Sequence, residues 1–125
     1  FACKRNDIEM CLKAFNVFVL SSIAEGLPRS LLEAMASGIP CVGTDAGGIS
    51  ELLEKGEYGF IAKAGSDEAL AEQMLRAAKL RDNEKSLLIE SAKNYARNNY
   101  SHEIVIKKLD QIYEKKKKKA SKGCQ

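Results

Sequence analysis

The sequence contains no tryptophan, a single histidine and two prolines in 125 residues. Its four cysteines, Cys3, Cys11, Cys41 and Cys124, form no C-x-x-C pair. With His102 as the only imidazole, a Cys/His zinc site is poorly supported. No apolar run approaches the ~18 residues that a membrane-spanning helix needs. The segment Phe1-Ala-Cys-Lys-Arg-Asn-Asp7 has neither an initiator methionine nor the apolar core of a signal peptide, and reads as a chain cut into. Unpaired cysteines favour a reducing, cytoplasmic setting over a disulfide-stapled secreted domain. Cys41, in an apolar run, is expected to be a small buried hydrophobe.

The net charge of +3 is a property of the tail. Lys115 to Lys119 and Lys122 supply six of the 20 basic residues, and without them 14 basic residues face 17 acidic ones. The body of the domain is therefore acidic, so a basic surface of the kind that tracks nucleic acid is not indicated. The lysine tail, residues 114–125, reads as a solvated helix end. Its other reading is contact with an anionic membrane face, worth about 1 kcal/mol per lysine near the surface.

What is present is an alternation of helical and strand-like patterns. Ile8, Cys11, Leu12 and Phe15 recur at helical spacing, and Val17-Phe-Val-Leu20 is a continuous run suited to a strand buried on both faces. Pro28 opens a helix that runs to about Ser37, where Gly38 supplies a left-handed stop. Pro40–Thr44 and Tyr58–Ala62 read as two more strands, with Asp45–Gly48 a tight loop and Ile49–Leu53 a short helix between them. Beyond them come helices: Ser66 caps one lined by Leu70, Met74, Ala77 and Ala78; Leu88, Ala92 and Tyr95 line the next; Ser101 caps a last one lined by Val105, Leu109, Ile112 and Tyr113. This order implies an α/β fold, a partial doubly wound parallel sheet followed by C-terminal helices, spanning residues 1–113 as one domain. Such sheets bind ligands beyond the carboxyl ends of their strands, where Ser21–Leu27 and Thr44–Gly48 lie.

One of those loops carries the most informative pattern. Glu25-Gly-Leu-Pro-Arg-Ser-Leu-Leu-Glu33 sets two carboxylates on either side of a helix N-terminus. A helix N-terminus is a seat for phosphate, and flanking carboxylates accept hydrogen bonds from hydroxyl groups. A polyhydroxylated ligand linked to phosphate, such as a nucleotide-sugar, satisfies both. Gly47-Gly48 reads equally as a phosphate-side loop or as a turn. Tyr58 and Phe60 suit core packing better than stacking on a base, and His102 reads as a surface residue.

Phe18-Val-Leu-Ser-Ser22, Glu25-Gly-Leu-Pro28, Leu31-Leu-Glu-Ala-Met-Ala-Ser-Gly-Ile-Pro40 and Thr44-Asp-Ala-Gly-Gly-Ile-Ser-Glu51 together resemble the C-terminal half of retaining glycosyltransferases of family 4, enzymes of the two-domain GT-B fold. The resemblance is strong from Asp7 to Ala62 and continues in helix order to Tyr113. The two glutamates match the family's E-x7-E motif, in a context that fits transferases better than the sugar-nucleotide epimerases sharing the fold. The resemblance implies that Glu25 bonds hydroxyls of the donor sugar near the anomeric centre and Glu33 the ribose hydroxyls. It also implies that amides around Gly26, Leu27, Ser30 and Leu31 face the sugar and diphosphate. The sequence has no Asp-x-Asp motif, and the family generally works without a divalent ion, so no metal or other cofactor is expected.

Two departures follow from the same resemblance. The resemblance implies that the family's phosphate-gripping Arg/Lys pair lies upstream in the same domain, for which Arg29 is no substitute, and that the acceptor-binding N-terminal domain is supplied in the same or another chain. Asn16 stands where an Asp is usual. The partners expected are a nucleotide-sugar donor and an acceptor whose nature the sequence does not specify.

Overall fold

The computed structural model describes residues 6–107 and 111. Cys3, Cys124, the lysine tail and the expected apolar positions Leu109, Ile112 and Tyr113 lie outside the described residues. Three strands form one parallel sheet in the order β1 (Phe18–Leu20), β2 (Cys41–Thr44), β3 (Phe60–Ala62). The register pairs Phe18 with Cys41 and Leu20 with Gly43, then Val42 with Phe60 and Thr44 with Ala62.

Side chains alternate along a strand, so this register sorts the sheet into two faces. Phe18, Leu20, Cys41 and Ile61 share one face and pack into the main core. There they meet α1 (Ile8–Leu12), α2 (Arg29–Ser37), α3 (Gly47–Leu52) and α5 (Asp82–Tyr100) through Leu12, Leu31, Ala34, Met35, Ile49, Leu52, Ala92 and Ala96. The opposite face of β2 and β3 is covered by α4 (Asp67–Ala78). Helices thus lie on both sides of the parallel sheet, as the alternation predicts.

Local chemistry sets the ends of these elements. Gly38 has φ 79°, and the reverse bonds Gly38 N–H to Met35 O (3.1 Å) and Ile39 N–H to Ala34 O (3.3 Å) close α2. Ser66 Oγ accepts from the Ala69 N–H at 3.2 Å and so caps α4. Ser101 Oγ accepts from the Ile104 N–H at 3.4 Å, opening helical residues 102–107. Cys41 is fully buried, and burial pushes its thiol up to about 12.

Four expectations need correction. Only β2 is buried along its whole length; β1 is half-buried throughout, because it pairs on one side only among the described residues. The first helix stops at Leu12, leaving Ile8 and Phe15 exposed, with Leu12 alone committed to the core. Met74 and Ala78 of α4 are exposed, since a helix lying over two short strands buries little beyond Ala77. Pro28 sits at the N-cap of α2 with ψ 95°, one residue before the first turn rather than within it.

Candidate functional site

Two loops leave the carboxyl ends of β1 and β2 side by side, and their backbones touch. The Gly48 N–H donates to the Glu25 carbonyl at 3.1 Å. A Cβ at residue 48 would fall 1.3 Å from the Gly26 carbonyl oxygen, and one at 47 would fall 2.9 Å from the Glu25 carbonyl oxygen. Glycine at 48 is therefore dictated by close backbone approach, while Gly47 also takes a positive φ of 32°. The Gly-Gly pair accordingly acts as the seat on which the Glu25 loop rests. Asp45 ties the second loop to β3: its N–H donates to Ala62 O at 2.8 Å and its Oδ1 accepts from the Ala64 N–H at 2.7 Å.

On this seat the sequence-derived residues occupy distinct places. Glu25 is half-buried, and its Oε1 accepts a hydrogen bond from Ser22 Oγ at 2.8 Å. The carbonyl of Ser22 in turn accepts from the hydroxyl of Thr44, the one buried polar side chain among the described residues. Gly26 and Leu27 are exposed on the rim of the loop. Ser30 is exposed in the first turn of α2, whereas Leu31 is completely buried.

The N-terminus of α2 itself is open. Its N-cap is Pro28, which has no side-chain acceptor, and no side chain caps the helix. A helix of nine residues leaves its first amides without intrahelical acceptors, and here no side chain takes them up. Glu33 lies one turn further, about 6 Å along the axis at 1.5 Å per residue. It is exposed on the flank of α2, where it borders a 590 Å³ cavity lined also by Asp7, Met10, Ala36 and Lys93. Glu25 does not line that cavity. The structure therefore brings Glu25 together with the glycine loop and the helix N-terminus, and sets Glu33 apart on the helix flank.

Tyr58 and Phe60 serve packing: Tyr58 stacks on Tyr95 at 4.2 Å between ring centroids, and Phe60 lies beneath the Arg76 guanidinium at 5.6 Å. His102 is exposed, as expected. Ser22 and Thr44 escaped sequence reasoning. A serine three residues before a loop glutamate was a usable signal, but the Thr44 contact depends on the register of two parallel strands. Among the described residues no group of three or more His, Cys, Asp or Glu side chains is placed to hold a metal ion, and no helix is long and apolar enough to cross a membrane.

The uncapped helix N-terminus and the glycine-seated acidic loop lie at the carboxyl ends of the strands, the rim at which open parallel sheets generally bind their ligands. Residues 1–102 match the family model of glycosyl transferases group 1, and the chain belongs to that family. It is 28% identical over 113 residues to the N-acetyl-alpha-D-glucosaminyl L-malate synthase of Bacillus anthracis, covering 90% of this chain and 29% of that protein. It is 30% identical over 108 residues to the UDP-Gal:alpha-D-GlcNAc-diphosphoundecaprenol alpha-1,3-galactosyltransferase of Escherichia coli, covering 86% and 27%. Among solved structures it resembles Anabaena Alr3699/HepE in complex with UDP, with a TM-score of 0.75 and 28% identity, covering 91% of this chain and 30% of that one. A glycosyltransferase from Rickettsia africae superposes with a TM-score of 0.83 at 24% identity, covering 90% and 30%, and bears out the fold. The chain spans less than a third of the length of these relatives.

Proposed function

We propose that this chain is the donor-binding part of the C-terminal domain of a retaining glycosyltransferase of family 4, transferring a hexose-type sugar from a nucleotide-diphosphate donor. The observation that carries the reading is the uncapped N-terminus of α2 with Glu25 beside it on a loop pinned by Gly48. In this reading the amides of Gly26, Leu27, Ser30 and Leu31 face the sugar and diphosphate. Glu25 accepts from the sugar hydroxyls near the reacting anomeric carbon, and Glu33 accepts from the ribose. As the glycosidic bond to the diphosphate breaks, negative charge grows on the leaving oxygen, and N–H donors fixed in advance stabilise it most at that moment. Donor binding proceeds without a divalent ion, in keeping with a sequence that has no Asp-x-Asp motif.

The site has one wall. Transfer requires an acceptor held against the donor, and proximity of that kind supplies a large part of the rate. The isolated 125-residue chain is therefore expected to bind donor without transferring sugar. The acceptor-binding domain lies in the same or another chain, and the enzyme acts in the cytoplasm. The half-buried β1, paired on one side only among the described residues, also suits a module that pairs with a separate chain.

Calorimetric titration with UDP and UDP-glucose tests the reading. Wild-type chain is expected to bind UDP-glucose more tightly than UDP, and Glu25→Ala to erase that preference while the protein stays folded. A preference that survives Glu25→Ala removes Glu25 from the sugar site.

A further inference from the structure

We infer that Thr44 and Ser22 are positioning residues that aim the Glu25 carboxylate through a two-step hydrogen-bond relay. The inference rests on the reading of Glu25 as the residue that faces the donor sugar.

Thr44 ends β2, the strand buried along its full length, and its hydroxyl donates to the Ser22 carbonyl on the adjacent loop. The central, fully buried strand of the sheet thus grips the first turn of the loop. Ser22 then passes that fixity to the side chain: its hydroxyl donates to Glu25 Oε1 at 2.8 Å. A carboxylate has two oxygens and about four acceptor sites, so one donated hydrogen bond orients the group while Oε2 stays free for ligand hydroxyls.

The backbone is held independently, by the Gly48 N–H on the Glu25 carbonyl. The loop could keep its path without Ser22, so this hydroxyl acts on the direction of the carboxylate rather than on the fold. A glutamate on a loop otherwise samples several rotamers, and ordering it on binding opposes affinity. Fixing it beforehand, in a position where sugar hydroxyls will arrive, is preorganisation of the kind that raises affinity for the sugar alone. Thr44 acts one step back, by holding the peptide from which the serine side chain projects.

The test separates side-chain aim from loop integrity. UDP and UDP-glucose are titrated into the wild-type chain and into Ser22→Ala, Ser22→Thr, Thr44→Val and Glu25→Ala. Exchange of the Gly48 amide proton is followed in parallel, because that proton reports the seat of the loop. Ser22→Ala is expected to lower the preference for UDP-glucose over UDP about tenfold, in line with loss of a hydrogen bond to a charged group. Its Gly48 exchange stays at the wild-type rate, and Ser22→Thr, which keeps the hydroxyl, retains the preference. Thr44→Val is expected to reduce the preference and to speed Gly48 exchange; if that variant fails to fold, the two Ser22 variants decide alone. An unchanged preference in Ser22→Ala, with the preference abolished in Glu25→Ala, overturns the relay and leaves the reading of Glu25 standing. A preference untouched by Glu25→Ala, or wild-type chain that binds neither probe, overturns both.

Discussion

The α-carbon of Gly48 lies against the carbonyl of Gly26, so close that a single added carbon would sit 1.3 Å from its oxygen. Backbone cannot yield as the far end of a flexible side chain can, so the loop that carries Glu25 must move if residue 48 gains a side chain. Gly48→Ala is expected to destabilise the fold by about 1–3 kcal/mol, the usual range for overpacking. It should also erase discrimination between UDP-glucose and UDP. Urea denaturation and calorimetry on the same preparation check both effects, and a variant with wild-type values for each contradicts the contact.

Leu31 and Ser30 sit side by side in the first turn of α2 but face opposite ways. Leu31 is completely buried in the main core, while its amide belongs to a first turn that no side chain caps. Leu31→Ala is expected to cost about 2–5 kcal/mol of stability, as large-to-small changes in a packed core do. Ser30→Ala, one position earlier on the exposed side of the turn, should change stability by less than about 0.5 kcal/mol, because surface substitutions rarely do more. Thermal or urea melts of the two variants measure the contrast. Equal stability losses would show that the inward and outward faces of this turn are misassigned.

Much of this architecture was legible in the residues themselves. Gly38 announced the end of α2 and Ser66 the start of α4, because caps are local chemistry. The strand-helix alternation gave the parallel sheet for the same reason. Ile8, Phe15 and Met74 misled because periodicity reveals a face able to be buried, and whether another element covers it is a tertiary matter. At the site, Glu25 and Glu33 stood out by spacing and context. The Gly48 contact and the Thr44 bond did not, since each joins residues more than twenty positions apart through strand register.

Cys41 makes a prediction about alkaline stability. Burial raises its thiol from 9.0 to about 12, so the folded protein keeps a proton that the unfolded chain releases at lower pH. Stability from this residue is complete below pH 9 and declines as pH rises toward the folded-state value, by about 1.4 kcal/mol for each unit in that window. Lysines and tyrosines titrate there too, so the comparison is between slopes. Urea midpoints measured from pH 8.5 to 10.5 should fall more steeply for wild type than for Cys41→Ala. Parallel slopes would mean that the thiol is solvated in the folded state.

The separation of Glu33 from Glu25 yields the most discriminating prediction. Glu33 stands on the flank of α2 beside the 590 Å³ cavity that Glu25 does not reach, so the two carboxylates should read different parts of a donor. If Glu33 accepts from the ribose hydroxyls, its removal should matter only when those hydroxyls are present. Wild-type chain is expected to bind UDP more tightly than 2′-deoxy-UDP, and Glu33→Ala to bind the two nucleotides alike. A double-mutant cycle formed from protein and ligand then gives a coupling of about 1–3 kcal/mol, the range for a hydrogen bond to a charged group and for residues in direct contact. Glu25→Ala should show no such coupling if, as proposed, its carboxylate meets the sugar and not the ribose. Coupling found at Glu25 instead of Glu33 would reverse the orientation of the donor along α2.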